Sequence, residues 1–412
     1  MDRSKLNLVS VYLTYLIDML GWSIIFPIFA PFFLDPDNVV FSSDVSLATR
    51  TMFLGLFLMS FSLGQFLGAP IIGEYGDRRG RRKALILSVF FMFIGMSLSA
   101  WSMMERNLPL LFAGRMISGI FASSTSICLA CITDFSTDDK TKVKYFGYLS
   151  VIGGLSFVLG AFWGGKLSDS TIDPNFNPSL PLWIASGMTL ANLFFVLFAF
   201  RETAIFDPSV KYDFFESFKN IRIALKTEKI KKIYIIYFLF LFAWTTLFQF
   251  IPVLMIDLFS FTNSDIGDLA LFMGICWIIG SGYLNQLLIL HFSSLRILEF
   301  CLICFTIFCT LLIFPIEIYS VTGLLGLCVI LGGVGWPICT GLISSAAPQE
   351  IQGKVLGMSQ SIQSLAMAVA PAIGGIGFHV SLGFPFLIGS GASLIAAIVY
   401  FSLKDRRASP NL

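Results

Sequence analysis

The chain has 412 residues, 56% of them hydrophobic and 13% charged, with a mean hydropathy of +0.83. An ordinary soluble domain carries about 25% charged residues, so this composition excludes a water-soluble globule and predicts an all-α membrane protein of many spans. The net charge of +2 implies no nucleic-acid partner, because its cations lie in loops between apolar runs.

Hydropathy predicts spans near 6–33, 50–73, 83–104, 108–133, 144–166, 180–201, 232–256, 267–290, 296–316, 319–343, 354–378 and 383–403. The first run starts at Leu6, is too long for the apolar part of a signal peptide and lacks a small-residue cleavage site. It is expected to stay in the membrane. The long connection 202–231 divides the chain into six-span halves, 1–201 and 232–412. Within it, YDFFESFKNIRIALKTEK (212–229) places Phe214, Phe218, Ile221 and Leu225 on one helical face beside Lys219, Arg222 and Lys226. An amphipathic helix on the membrane surface fits this pattern, as does a solvated linker helix.

All eight cysteines fall inside predicted spans, where they read as small apolar packing residues. With both termini in the cytoplasm, 23 of the 27 lysines and arginines are cytoplasmic; Arg50, Arg106 and Lys166 are outside and Arg115 is within a span. The positive-inside rule therefore orients both termini inward.

The two halves echo each other. YFGYLSVIGGLSFVLGAFWGG (145–165) aligns with VLGMSQSIQSLAMAVAPAIGG (355–375) at an offset of 210. Gly147 and Gly357 each precede a glycine pair, Gly164–Gly165 and Gly374–Gly375. Parallel six-span repeats are an architecture of secondary transporters, with substrate bound near mid-membrane.

Between spans 2 and 3, GEYGDRRGRRK (73–83) packs five cations and two anions into one short connection. Its glycines permit a sharp turn, and an aspartate gains energy at a helix N-terminus. Gly73, Asp77, Arg78, Gly80, Arg81 and Arg82 resemble the signature loop of the major facilitator superfamily, with Tyr75 in place of the usual leucine. That resemblance implies the major facilitator fold and a conformational latch. In the family, the aspartate faces the N-terminus of the eleventh helix, and the second arginine, here Arg81, pairs with an acid ending span 4, here Asp134. A purely topogenic positive cluster is the plainer reading. The matching loop of the second half has Asn285 and Gln286 near the expected acid, so one full latch is expected.

Span 1 contains DMLGWSIIFP (18–27), whose Asp18, Gly21 and Pro27 resemble the first-helix motif of the twelve-span drug:proton antiporters, tetracycline exporters among them. Asp18 lies about 18 Å along the span at 1.5 Å per residue. A carboxylate at that depth is a functional candidate by default; it reads as a proton carrier or a permanently paired structural acid. Arg115 and Gly119 in span 4 match the family's R-x-x-x-G, with Ser118 at a position where glutamine is common. Arg115 is expected to couple with Asp18 or to snorkel outward. Span 5 aligns Gly147, Ser156, Gly160, Ala161, Gly164 and Gly165 with the antiporter glycine motif, serine and alanine replacing a glycine and a proline. Pro371, Gly374 and Gly375 keep that form in the second half.

Candidate substrate residues are Tyr15, Trp22, Asn192, Trp244, Gln249, Trp336, Gln360 and Gln363. With 44 phenylalanines, a ring-lined cavity would suit an amphiphilic solute. No H-E-x-x-H, G-x-S-x-G or P-loop occurs, which argues against an enzyme, a metal site, a cofactor or ATP-driven transport. The expected protein is a monomeric, proton-coupled antiporter of the bacterial inner membrane that exports a small organic compound. An uptake symporter is the competing reading, favoured by the altered span 5.

Overall fold

The computed structural model describes residues 3–35, 41, 44–122, 124–135, 139–203, 228–314, 317–345 and 352–408. The surface helix expected over 212–229 falls almost wholly outside them. Helices dominate: α1 (Arg3–Ser23), α2 (Phe26–Leu34), α3 (Leu47–Arg79), α4 (Arg81–Met104), α5 (Leu108–Phe121), α6 (Ser124–Phe135), α7 (Asp139–Ser168) and α8 (Leu180–Ala199). After the central connection come α9 (Glu228–Phe259), α10 (Asn263–Ile278), a π-helical stretch (Ile279–Leu284), α11 (Asn285–His291), α12 (Ser294–Leu311), α13 (Ile318–Ser345), α14 (Gln352–Gly377) and α15 (Phe384–Ala408). Among the described residues no strand occurs.

Among the described residues, eleven stretches are long and apolar enough to cross a membrane, from Leu6–Leu34 to Phe384–Ser402. The run predicted at 354–378 is helical as α14 without being one of the eleven. Three predicted spans are interrupted. The first breaks between Ser23 and Phe26, where Pro27 at the start of α2 lacks the N–H that a continuous helix would use. The fourth breaks between Phe121 and Ser124. The eighth passes through the π-helical turns IGSGYL, whose small residues tolerate the wider coil.

The chain forms two compact units. One holds residues 1–44, 60–214 and 261–271; the other holds 45–59, 215–260 and 272–412. The core of the first joins Val11 of α1, Leu85 and Val89 of α4, Ile127, Cys128 and Ile132 of α6, and Val196 of α8. In the second, α9 is the most enclosed helix, with Tyr234, Tyr237, Phe240 and Phe250 fully buried. Large apolar side chains such as Phe198 and Leu290 stand exposed, which in a hydrocarbon solvent costs nothing.

Candidate proton and substrate site

Asp18 sits in the second half of α1 and is 5% exposed. Both of its carboxylate oxygens are buried and take no hydrogen bond from the described residues. The Ser124 hydroxyl at the start of α6 lies beside the carboxyl without closing a bond of good geometry. One turn before Asp18, Thr14 and the buried Asn192 of α8 share a 3.2 Å hydrogen bond. Asn192 is thereby engaged between helices. Tyr15 lies against Gly153 of α7, where an added Cβ would meet the phenol oxygen at 3.1 Å. Trp22 packs on Phe157 of α7 at 5.9 Å.

Arg115 is 3% exposed and lies inside this unit rather than at an outer surface. Its guanidinium stands over the Phe61 ring at 4.3 Å and the Phe29 ring at 5.7 Å. It makes no ion pair with Asp18. A buried cation on two ring faces is a recognised stable arrangement. Thus the acid and the base that the sequence singles out in spans 1 and 4 are both buried, yet not joined directly.

The second unit collects other candidates. Trp244 of α9 packs on Trp277 of α10 with centroids 5.0 Å apart, and Trp277 packs edge-on to Trp336 of α13 at 5.9 Å. Trp277 escaped the sequence reading because a lone tryptophan in an apolar run carries no local signal. The Tyr237 hydroxyl donates to Gln363 Oε1 of α14 at 3.3 Å. Gln360 is exposed and Gln363 half-buried, so the two glutamines of α14 do not share one environment, and Gln249 of α9 is half-buried.

In the 73–83 connection, Gly80 adopts φ 101°, a conformation that side-chain-bearing residues rarely take. Arg81 pairs with Asp77, and its Nε donates to Asp134 Oδ2 at 3.3 Å. Glu202, which the sequence reading missed, accepts from the backbone N–H groups of Arg81 (2.8 Å) and Arg82 (3.1 Å). It thereby caps the N-terminus of α4 from outside the helix. Arg82 donates to the carbonyls of Phe200 (2.9 Å) and Leu197 (2.7 Å), closing the end of α8. The chain just before α14, where the family pattern would aim Asp77, lies outside the described residues. Arg78 is partly buried, and Gly73 has open space where a Cβ would stand.

The glycine motifs differ in their surroundings. A Cβ on Gly160 would strike Ser23 Oγ and approach Leu20 O, and one on Gly164 would strike Ile24 O, so this face of α7 lies on the end of α1. Gly374 lies against the Phe250 ring, and the Pro371 carbonyl lies over Gly55. Gly147 has nothing within 4 Å of a Cβ position. Among the described residues no cluster of His, Cys, Asp and Glu could hold a metal, and all eight cysteines are free thiols.

Many apolar helices and a carboxylic acid buried within one of them are features of membrane transporters. The pattern of the Major Facilitator Superfamily matches residues 11–318 and 287–412. The chain belongs to that superfamily, whose members are transporters and not enzymes. It is 29% identical over 197 residues to the tetracycline resistance protein, class H, of Pasteurella multocida, covering 48% of this chain and 45% of that one. That match spans less than half of the relative's length. It is 23% identical to multidrug resistance protein 2 of Bacillus subtilis over 365 residues, covering 86% and 87% of the two chains. The quinolone resistance protein NorA of Staphylococcus aureus is 23% identical over 363 residues, covering 86% and 88%. Among solved structures, the human organic anion transporter MFSD10 (TETRAN) superposes with a TM-score of 0.72 at 19% identity, covering 97% and 100%. A D-xylose-proton symporter superposes with a TM-score of 0.74 at 16% identity, covering 96% and 97%. These two likenesses establish the fold alone.

Proposed function

We propose that the chain exports a small organic or amphiphilic compound in exchange for protons, by alternating access, with Asp18 as the proton carrier. The observation that carries this reading is the state of the Asp18 carboxyl: buried, mid-helix, and without a hydrogen bond from the described residues. An ionised carboxylate without a partner is far more costly in such surroundings than a neutral one. The group therefore holds a proton until water or a substrate reaches it. Arg115, engaged with Phe61 and Phe29, leaves Asp18 free to change charge. The resistance proteins to which the chain is similar support export as the direction.

In the same reading the protein works as a monomer in a bacterial inner membrane with both termini cytoplasmic. Trp244, Trp277, Trp336 and Gln363 of the second unit contact the compound. Ala161, standing where the antiporter motif has proline, favours the rival reading of an uptake symporter. Proton release from purified protein on adding candidate compounds separates the two. Release that vanishes in Asp18→Asn supports the antiporter, whereas proton uptake on binding supports the symporter.

A further inference from the structure

The end of α7 and the start of α10 meet at a glycine crossing. A Cβ on Gly165 would lie 2.5 Å from the Asn263 carbonyl oxygen and 2.8 Å from the Gly267 Cα. Around this crossing the polar groups interlock. Lys166 Nζ donates to Ser264 Oγ at 2.6 Å and to Asp268 Oδ2 at 2.7 Å. Asn263 Nδ2 donates to Ser168 Oγ at 2.9 Å and to the Ser168 carbonyl at 3.3 Å. The Ser264 backbone N–H donates to Asp169 Oδ2 at 3.0 Å, while Asp169 Oδ1 accepts from the Thr171 N–H and hydroxyl.

The repeat supplies an internal control. Gly375, equivalent to Gly165 at the offset of 210, makes the corresponding crossing in the other unit, with a Cβ 2.8 Å from Thr51 O and 3.0 Å from Gly55 Cα. There, however, Ile376, Phe378 and His379 replace Lys166, Ser168 and Asp169, and Met52 and Leu56 replace Ser264 and Asp268. The crossing is shared, but the polar interlock belongs to one copy.

We propose that this interlock is a releasable clasp, holding closed the membrane face opposite the 73–83 connection and parting once per transport cycle. Three features suit it to release. The ion pair joins the last turn of α7 to the first turns of α10 and is not enclosed, with the Lys166 and Asp268 side chains 25% and 52% exposed, so less holds it than holds a buried pair. Its neutral hydrogen bonds exchange for water at little net cost. The glycine crossing lets the backbones meet without large apolar side chains that would have to be pulled apart. The clasp rests on the alternating-access reading above, and its test does not need a known substrate.

The test places a reporter at the fully buried Ala161, whose carbonyl lies beside Gly267. Ala161→Cys in the full chain is labelled from outside right-side-out vesicles with a membrane-impermeant maleimide, relative to the chain without the reporter. Lys166→Ala and Asp268→Asn should each speed labelling about fivefold, the factor that about 1 kcal/mol commands, and the exchange Lys166→Asp with Asp268→Lys should restore the slow rate. Equal rates in all four proteins would overturn the clasp. A second variant, Lys166→Cys with Asp268→Cys, should form a disulfide that stops transport until it is reduced. A disulfide that forms and leaves transport intact would also overturn it. If the transport reading itself fails, no variant moves any compound, and the labelling contrast still decides whether the clasp opens.

Discussion

The Arg115 guanidinium stands 4.3 Å from the centre of the Phe61 ring, buried within one unit and not paired with Asp18. The ring face supplies negative potential where water cannot, and so helps to hold a charge at a depth that would otherwise expel it. Phe61→Leu should therefore destabilise the protein by about 1 to 2 kcal/mol, more than the loss of ring area at a site without a cation. Thermal unfolding of Phe61→Leu against Phe386→Leu, a buried ring of the other unit, checks this. Equal losses would dismiss the cation–π account.

Glu202 accepts from the first two backbone N–H groups of α4. Glu202→Gln should keep part of that geometry and cost about 0.5 to 1 kcal/mol, and Glu202→Ala should cost about 1 to 2 kcal/mol. Unfolding midpoints in detergent would show the graded loss. A neutral Glu202→Ala would mean that the cap is replaced by water.

The glycine positions divide into two kinds. Gly165→Leu should disrupt folding or assembly, because a Cβ there meets backbone of α10. Gly147→Ala should be harmless or stabilising by about 0.5 to 1 kcal/mol, since the space is open and alanine is the better helix former. Expression yield and unfolding midpoint of the two variants make the comparison.

Burial pushes the Asp169 carboxyl up, but hydrogen bonds from Thr171, Thr262 and the Ser264 backbone outweigh it and hold it below the ordinary aspartate value of 3.8. A depressed value means that its stabilisation is present above the unfolded-state value and is lost as pH falls through the folded-state value. The contact around Ser264 should therefore persist through neutral and mildly acidic pH, and weaken only below the ordinary aspartate range. Unfolding midpoints against pH should show an acid step that shrinks in Asp169→Asn.

Much of this was legible in the sequence. Spans follow from run length and composition alone, and the Arg81–Asp134 contact lies where the loop motif implies it. Other features left no local trace. Glu202 follows span 6 as an ordinary loop acid, and only the tertiary fold brings it to the start of α4. Trp277 gains meaning from Trp244 and Trp336, which are distant in sequence. The break before Phe26 was foreshadowed by Pro27, but hydropathy averages across a two-residue turn. The polar interlock at Lys166 was invisible because Asn263, Ser264 and Asp268 read as the unremarkable start of a span.

Asp18→Asn in proteoliposomes tests the central claim most directly, by separating exchange from coupling. An imposed pH gradient should drive accumulation of a transported compound by the wild type. The variant should still exchange labelled for unlabelled compound across the membrane while ignoring the gradient. Accumulation by Asp18→Asn that follows the gradient as the wild type does would contradict the account, and the proton would have to be carried elsewhere.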